Sequence, residues 1–279
     1  MTGFIDIGGS LRGIYTSGVY DYLMDRGIKP EYCIGVSSGS ANLTAFVANQ
    51  PGRTARFYKD YLYESKAFGV ESLLRTGSLI NLKYIYSDIS LSTGKDPLDY
   101  NALVGSDCKF TIVSTVAKTG KTHYFDKSEM KPDDYSILNA ASAMPILCRP
   151  VKIDGTLYCD GGVSDPIPYK KAFAEGCDKI VLCITKPVDY RKTKLTSIAK
   201  AFIPQYPDIA ALLMNMHEKY NGGIEAVMEL EKQGKALIIA PDDCCGVDTA
   251  KKNKEGSQKL YEKGYRDAEK IEKFLYSNV

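Results

Sequence analysis

Only two histidines, His123 and His217, occur in the 279 residues. No C-x-x-C pair accompanies them, so the ligand spacing of a zinc site is missing and no metal is expected. No stretch of about 18 apolar residues is present, which leaves no candidate for a membrane-spanning helix. Lysine plus arginine number 36 against 34 for aspartate plus glutamate, a balance that gives no argument for nucleic acid as a partner. Internal repeats and low-complexity tracts are also lacking. Met1-Thr2-Gly3-Phe4-Ile5 enters a strand pattern at once, without the charged leader and apolar core of a signal peptide. The expected location is therefore cytoplasmic. Among the eight cysteines, Cys33, Cys148, Cys159 and Cys183 lie in apolar, strand-like surroundings that suit small buried hydrophobes better than disulfides. Cys244 and Cys245 fall in a loop pattern.

What is present is the composition of a globular protein, 44% apolar and 25% charged, of a length that favours one large domain. The first half alternates strands and helices, beginning with a strand at Phe4 to Ile7, a helix from Ile14 closing at Gly27, and a strand at Tyr32 to Ile34. This order predicts an α/β fold with a mostly parallel central sheet flanked by helices. Arg53 to Tyr63 reads as an amphipathic helix, and 77–99 as irregular with short helices. Lys109 to Val116 with Thr122 to Phe125, and Val151 to Cys159 around Asp154-Gly155, read as hairpins. Tyr135 to Ala143 and Pro168 to Glu175 read as helices, and Lys179 to Ile184 as a buried parallel strand. Beyond residue 186 come a basic segment (Tyr190 to Lys200), a long helix (Pro207 to Lys232), a strand (Lys235 to Ala240) and one polar, charged helix (Lys254 to Tyr276). The division expected is a core over 1–185 and a C-terminal extension over 186–279 packed on the same domain.

Gly35-Val36-Ser37-Ser38-Gly39 is a G-x-S-x-G pattern between a strand and a helical run, Ala41 to Ala48. A turn that sharp has no room for side chains two residues either side of the serine, and Gly35 and Gly39 remove them. Ser37 is then held out at the strand tip in front of a helix N-terminus, where free N–H groups favour negative charge. A serine hydroxyl needs a base to become a nucleophile. His123 lies in a hairpin strand and His217 in the late helix, neither in the loop setting of a triad histidine. Asp160 ends a strand and is followed by Gly161-Gly162, which allow a tight turn and close backbone approach. Burial against a hydroxyl would raise its basicity, so a Ser–Asp dyad is physically possible. Gly8-Gly9-Ser10-Leu11-Arg12-Gly13 sits one βα unit before the elbow, where its N–H groups can face an oxyanion. The competing nucleotide reading of that loop lacks glycine at Ser10 and any following G-K-[ST].

In this order the three elements resemble the patatin-like phospholipase family, whose members carry a G-G-G-x-[KR]-G loop, a G-x-S-x-G elbow and a D-G-[GA] motif. Ala141-Ser142-Ala143-Met144-Pro145 and Ser164-Asp165-Pro166-Ile167-Pro168 are similar as well, and the likeness covers about residues 3–185, as in a bacterial-type member. The resemblance implies Ser37 as nucleophile, Asp160 as base and Gly8 to Gly13 as oxyanion hole, with no histidine, metal or cofactor. It implies hydrolysis of phospholipid and other lipid acyl esters through an acyl-enzyme. Two departures stand out: Ser10 replaces the third glycine, and Asp165 stands where many members have asparagine. They motivate an alternative, a non-catalytic lipid- or acyl-ligand-binding regulatory protein. An acyl slot has two candidate sources, the late helix (Ile209, Leu212, Leu213, Met216) and the 66–86 segment (Phe68, Val70, Leu73, Leu74, Leu79, Ile80), with core packing the simpler account of both. The basic segment with Leu195, Ile198 and Phe202 is a candidate for peripheral membrane contact.

Overall fold

The computed structural model describes residues 1–145, 147–194, 204, 206–248 and 253–276. Its frame is an eight-stranded sheet. The strands are β1 (Thr2–Asp6), β2 (Tyr32–Val36), β3 (Lys109–Val116), β4 (Thr122–Asp126), β5 (Val151–Ile153), β6 (Thr156–Asp160), β7 (Lys179–Cys183) and β8 (Ala236–Ile239). The order is β5-β6-β3-β2-β1-β7-β8, with β4 paired to β3. β1, β2, β3, β7 and β8 run parallel, while β4 and β6 lie antiparallel to β3, and β5 to β6. The sheet is thus mostly parallel and helix-flanked, as the alternation of elements predicts.

The inner strands read as near-continuous apolar runs because both their faces are covered. Phe4, Cys33, Phe110 and Val181 belong to one core cluster; Ile5, Ile34 and Leu182, each one residue further on in its own strand, belong to the other. The helices are α1 (Ile14–Asp25), α2 (Ser38–Val47), α3 (Arg53–Lys59), α4 (Val70–Thr76), α5 (Tyr100–Gly105), α6 (Ser136–Ala141), α7 (Tyr169–Ala174), α8 (Pro207–Lys232), α9 (Lys254–Asp267) and α10 (Glu269–Tyr276).

Two features of this topology position the site. The chain winds from β1 outward through β2 to β3, then returns to β7 on the other side of β1 and continues to β8. The carboxyl end of β1 is therefore a switch point, the place where an open α/β sheet leaves a crevice. The second feature is the pairing of β3. β4 occupies one edge of β3 over 111–115, so β2 (109–113) and β6 (114–116) must share the other edge end to end. Val36 faces Val113 and Asp160 faces the next residue, Ser114. The end of β2 and the end of β6 meet head on.

Several elements depart from the sequence expectation. The helix expected over Arg53 to Tyr63 stops at Lys59 and gives way to a 3₁₀ turn, Tyr61–Tyr63. The stretch expected to be irregular with short helices has one of them as a π-helical turn, Lys83–Asp88, and α5 follows where no element was expected. The helix after the elbow begins at Ser38 rather than Ala41. The single C-terminal helix is two, α9 and α10, divided at Ala268.

α9 is polar, and it docks on α1 without a wide apolar stripe. A side chain on Gly18 would lie 2.1 Å from Tyr261 O, and one on Gly264 1.9 Å from Tyr15 O, so two glycines set the approach of the helices. Tyrosine hydroxyls then donate across the gap and just beyond it: Tyr15 to Asp267 (2.8 Å), Tyr261 to Asp21 (2.9 Å), Tyr265 to Asp25 (2.8 Å) and Tyr22 to Glu272 (2.7 Å). Gly264→Ala forces the helices apart and is expected to destabilise the fold by roughly 1–3 kcal/mol, as overpacking does. Gly222→Ala, in α8 with open space at its Cβ, is expected to stabilise by about 0.5–1 kcal/mol. Equilibrium unfolding in urea of the two variants checks both signs.

Candidate active site

Strand β2 ends and helix α2 begins within one residue, and that residue is Ser37. Its backbone sits at φ 56, ψ −138, a conformation that a non-glycine residue adopts only under strain. The turn closes because its neighbours are glycines. A Cβ on Gly35 would lie 2.5 Å from Ser40 Cα, and one on Gly39 would lie 2.3 Å from Asp6 O. Both elbow glycines named from the sequence are therefore sterically required.

Asp160 arrives from the opposite direction at the end of β6 and is 1% exposed. Its Oδ1 accepts from Gly162 N–H at 2.8 Å, in the tight turn of Gly161 and Gly162, whereas Oδ2 is buried with no hydrogen-bond partner. Burial raises its pKa to about 6, partly offset by the Ser37 hydroxyl, Gly162 N–H and the Lys192 ammonium. The Ser37 hydroxyl is thus within range of the carboxyl, but in a looser approach than a formed hydrogen bond, which is common before substrate arrives. Asp165 makes no contribution to that rise; it accepts from Tyr124 O–H at 2.7 Å.

The glycine loop lies beside the elbow, as the parallel pairing of β1 with β2 requires. Gly8, Gly9 and Ser10 have φ of 67, 143 and 56 degrees, so Ser10 holds a conformation that suits the glycine it replaces. Leu11, Arg12 and Gly13 continue it as a 3₁₀ turn. The expectation that the whole loop offers donors is narrowed by the structure. Gly8 N–H donates to Asp6 Oδ1 at 2.8 Å and Gly9 N–H to Ser38 Oγ at 3.1 Å, so these two amides brace the loop and elbow.

Sequence reasoning missed the groups behind the loop. Asp6 is fully buried, its pKa also raised to about 6 by desolvation. Asn42 Nδ2 donates to Gly13 O (3.0 Å) and Thr16 Oγ1 (2.7 Å), Tyr58 O–H donates to Asn42 Oδ1 (3.0 Å), and Thr185 Oγ1 donates to Gly8 O (2.8 Å). A signal for Asp6 existed, a lone carboxylate in an apolar strand. Nothing in the sequence singled out Asn42, Tyr58 or Thr185.

Above Ser37 and Asp160 opens a cavity of about 300 Å³. Leu62, Phe68, Ile80, Leu82, Ile85 and Met144 form much of its apolar lining. Of the two expected sources of a slot, the 66–86 segment supplies Phe68 and Ile80, whereas Val70, Leu73 and Leu74 point to solvent. The late helix contributes Met216, while Ile209 and Leu213 pack into the core with Cys159 and Val163. His123 stacks edge-on to Phe125 at 4.3 Å, and His217 packs at the side of α8; neither lines the cavity. Cys33, Cys148, Cys159 and Cys183 are buried thiols, and Cys244 and Cys245 lie in a partly exposed turn.

The fold and this site define an α/β protein with a serine at a sharp strand-to-helix elbow facing a buried aspartate. The chain belongs to the patatin-like phospholipase family, whose model matches residues 8–173. Residues 206–275 match a second model, a domain of unknown function (DUF6363). The family is one of lipid acyl hydrolases in general. An uncharacterized protein of Escherichia coli, YjjU, is 31% identical over 185 residues, 64% of this chain and 50% of that protein. An uncharacterized NTE family protein of Mycobacterium bovis, Mb1092c, is 24% identical over 162 residues, 57% of this chain and 42% of that protein. The chain spans about half the length of the curated relatives it matches. VipD from Legionella pneumophila is similar at 14% identity with a TM-score of 0.49, over 97% of this chain and 66% of that one.

Because Asp160 holds its proton more tightly folded than unfolded, its burial opposes folding fully above about pH 6, progressively less toward pH 4, and not at all below its unfolded value. Asp160→Asn keeps an oxygen for Gly162 N–H and removes the charge. It is expected to stabilise the fold by on the order of 2 kcal/mol at pH 8, with the gain shrinking toward pH 4.5. Denaturant unfolding of both proteins at the two pH values measures this.

Proposed function

We propose that this protein is a serine acyl hydrolase that cleaves lipid carboxyl esters of the phospholipase A or lysophospholipase kind through an acyl-enzyme, using a Ser37–Asp160 dyad. The observation that carries the proposal is the buried, unpartnered Oδ2 of Asp160 at the end of β6, brought head on to the strained Ser37 at the end of β2. Ser37 Oγ attacks the ester carbon as its proton passes to the Asp160 carboxylate. The oxyanion forms in front of helix α2, where the Ser38 N–H and the Leu11 N–H of the neighbouring 3₁₀ turn are the donors to hand. Collapse expels the alcohol, which takes the proton from Asp160. Water then attacks the acyl-enzyme with Asp160 as base, releasing the fatty acid and restoring Ser37. A carboxylate titrating near 6 is a stronger base than one in water and is still ionised at pH 7. In this scheme residues 1–185 are the catalytic core, and residues 186–279 add β8 to the sheet and Lys192, Met216 and Tyr220 to the cavity.

Fluorophosphonate labelling of the wild type, Ser37→Ala and Asp160→Asn tests the dyad. Labelling is expected in the wild type and absent in Ser37→Ala. Hydrolysis of a p-nitrophenyl acyl ester is expected to fall about 10²–10⁴-fold in Asp160→Asn. In the wild type, kcat/KM is expected to decline as pH drops through about 6, because the protonated Asp160 cannot accept the Ser37 proton. A folded wild type that binds acyl ligands but is neither labelled nor active would instead favour the non-catalytic lipid-binding alternative.

Peripheral membrane contact belongs to the same proposal. Among the described residues no helix is long and apolar enough to cross a membrane. Val70, Leu73 and Leu74 on α4 are 70%, 44% and 81% exposed, and α4 begins two residues beyond Phe68 of the cavity wall. Such a helix can rest its apolar face in a lipid interface beside the cavity. Of the basic segment expected to serve this purpose, residues 195–200, with Leu195 and Ile198, and Phe202 beyond them lie outside the described residues. Leu74→Glu is expected to lower co-sedimentation with phosphatidylglycerol vesicles several-fold; unchanged sedimentation would remove α4 from the contact.

A further inference from the structure

The cavity carries polar groups that the attack of Ser37 does not use. Lys186 and Lys192 enter it from the segment that follows β7, and Lys192 is held at its backbone by Asn221 of α8, N–H to Oδ1 at 2.9 Å. Two neutral hydroxyls, those of Ser142 and Tyr86, stand with Asp160 in the same lining. Ser142 directly follows the end of α6, and the carbonyl of its neighbour Ala143 accepts the Asp160 N–H at 3.0 Å. The segment that bears Ser142 is therefore tied to the base through the backbone. Tyr86 belongs to the π-helical turn Lys83–Asp88, a kind of element that recurs at functional sites. Asn139 Nδ2 of α6 donates to Ser87 Oγ of that turn at 2.8 Å, which fixes the two hydroxyl-bearing segments to each other.

Ser142 is 7% exposed, and its Oγ makes no hydrogen bond among the described residues. Asp160 Oδ2 is in the same condition. The Tyr86 hydroxyl approaches Ser142 more loosely than a formed hydrogen bond and lies within electrostatic range of Asp160. Buried polar atoms are normally satisfied, so two orphans in one cavity wall mark a place for a polar ligand. The acyl-enzyme supplies the reason for one. Before reaction the Ser37 hydroxyl offsets part of the cost of burying the Asp160 carboxylate. Once Ser37 Oγ carries the acyl group it has no proton to donate, and Asp160 has lost that partner. A water that donates to Oδ2 replaces it, and a buried water is held by about three polar contacts. Ser142 Oγ and the Tyr86 hydroxyl complete that number.

We infer that Ser142 and Tyr86 are positioning residues that hold the deacylating water against Asp160. The water oxygen attacks the acyl carbon as one of its protons passes to Asp160 Oδ2. The bond from the acyl carbon to Ser37 Oγ then breaks, Asp160 returns that proton to Ser37 Oγ, and the carboxylic acid leaves. This role rests on the hydrolase proposal and adds a division of labour to it: the two hydroxyls act in the second half-reaction and not in the first.

Full-length wild type, Ser142→Ala and Tyr86→Phe are each mixed with one equivalent of a p-nitrophenyl acyl ester, and rapidly quenched samples are read by intact mass. The appearance of p-nitrophenolate gives the acylation rate, and the rise and fall of the adduct gives the deacylation rate. Each substitution is expected to slow deacylation by about tenfold while acylation stays within about twofold. In the steady state kcat and KM then fall together and kcat/KM holds. Hydroxylamine, a stronger nucleophile than water that reacts without a base, is expected to speed deacylation more in the variants than in the wild type. A merely structural role would slow both steps and would not be rescued. Either variant provides the reading if the other fails to fold. Equal losses in the two steps, or deacylation unchanged in both variants, overturns the role. A wild type that is not labelled by fluorophosphonate and forms no adduct removes the hydrolase proposal and this role with it; an adduct that forms in the wild type and decays alike in all three proteins overturns the role alone.

Discussion

The end-to-end meeting of β2 and β6 along one edge of β3 is the constraint on which the site depends. Parallel pairing carries β2 forward to Val36, antiparallel pairing carries β6 back to Asp160, and adjacent residues of β3, Val113 and Ser114, receive them. Neither strand can extend further without displacing the other, so β2 delivers the residue after its end, Ser37, and β6 its last residue, Asp160, to the same crevice. β4 holds the opposite edge of β3 and fixes which side the two must share. The crevice is also the switch point of the sheet, where β1 and β7 deliver Gly8 and Thr185.

Holding this arrangement requires buried polar groups that the core alone would not favour. Asp6 and Asp160 are both removed from water and both titrate near 6, and each spends one oxygen on a backbone amide two residues on. The two share a device: a carboxylate at a strand end fixes the glycine turn that follows it. Asn42, Thr16 and Tyr58 brace the far end of the loop. Ser10 and Ser37 carry positive φ in the same few ångströms of structure. Local strain and buried charge concentrated at one site lower stability, and such strain clusters where a structure is pre-organised for function.

The C-terminal third is woven into this frame. β8 extends the sheet beyond β7, α9 docks on α1 through Gly18 and Gly264, and α8 clamps Lys192 at the cavity wall. Tyr15 and Tyr22 of α1 are bonded to Asp267 and Glu272, one at the end of α9 and one in α10, so the helix behind the glycine loop is braced by residues about 250 positions away. The second family model, over 206–275, covers α8 to α10.

The sequence by itself determined the local chemistry of this protein. Gly35 and Gly39 around Ser37, the turn after Asp160, the alternation of strands with helices and the apolar runs of β1, β2 and β7 follow from steric and burial requirements that act within a few residues. Those elements were legible for that reason, and so was the ordered set of motifs that the family shares. Asp160 was legible through its glycine turn and the shared order of motifs, but only the tertiary structure decided the route by which it approaches Ser37, the register of β3, a relation between residues 123 positions apart. It also decided that Gly8 and Gly9 brace the loop, that Ile209 and Leu213 are core while Phe68 and Ile80 line the cavity, and that Lys186 and Lys192 face inward. Lysine in a charged segment reads the same whether it meets water or a cavity, because only long-range packing fixes the direction of its side chain. The docking of polar α9 was harder to read for a related reason: Leu260 is the one aliphatic side chain it buries, and its close approach to α1 rests on two glycines and a row of tyrosine hydroxyls.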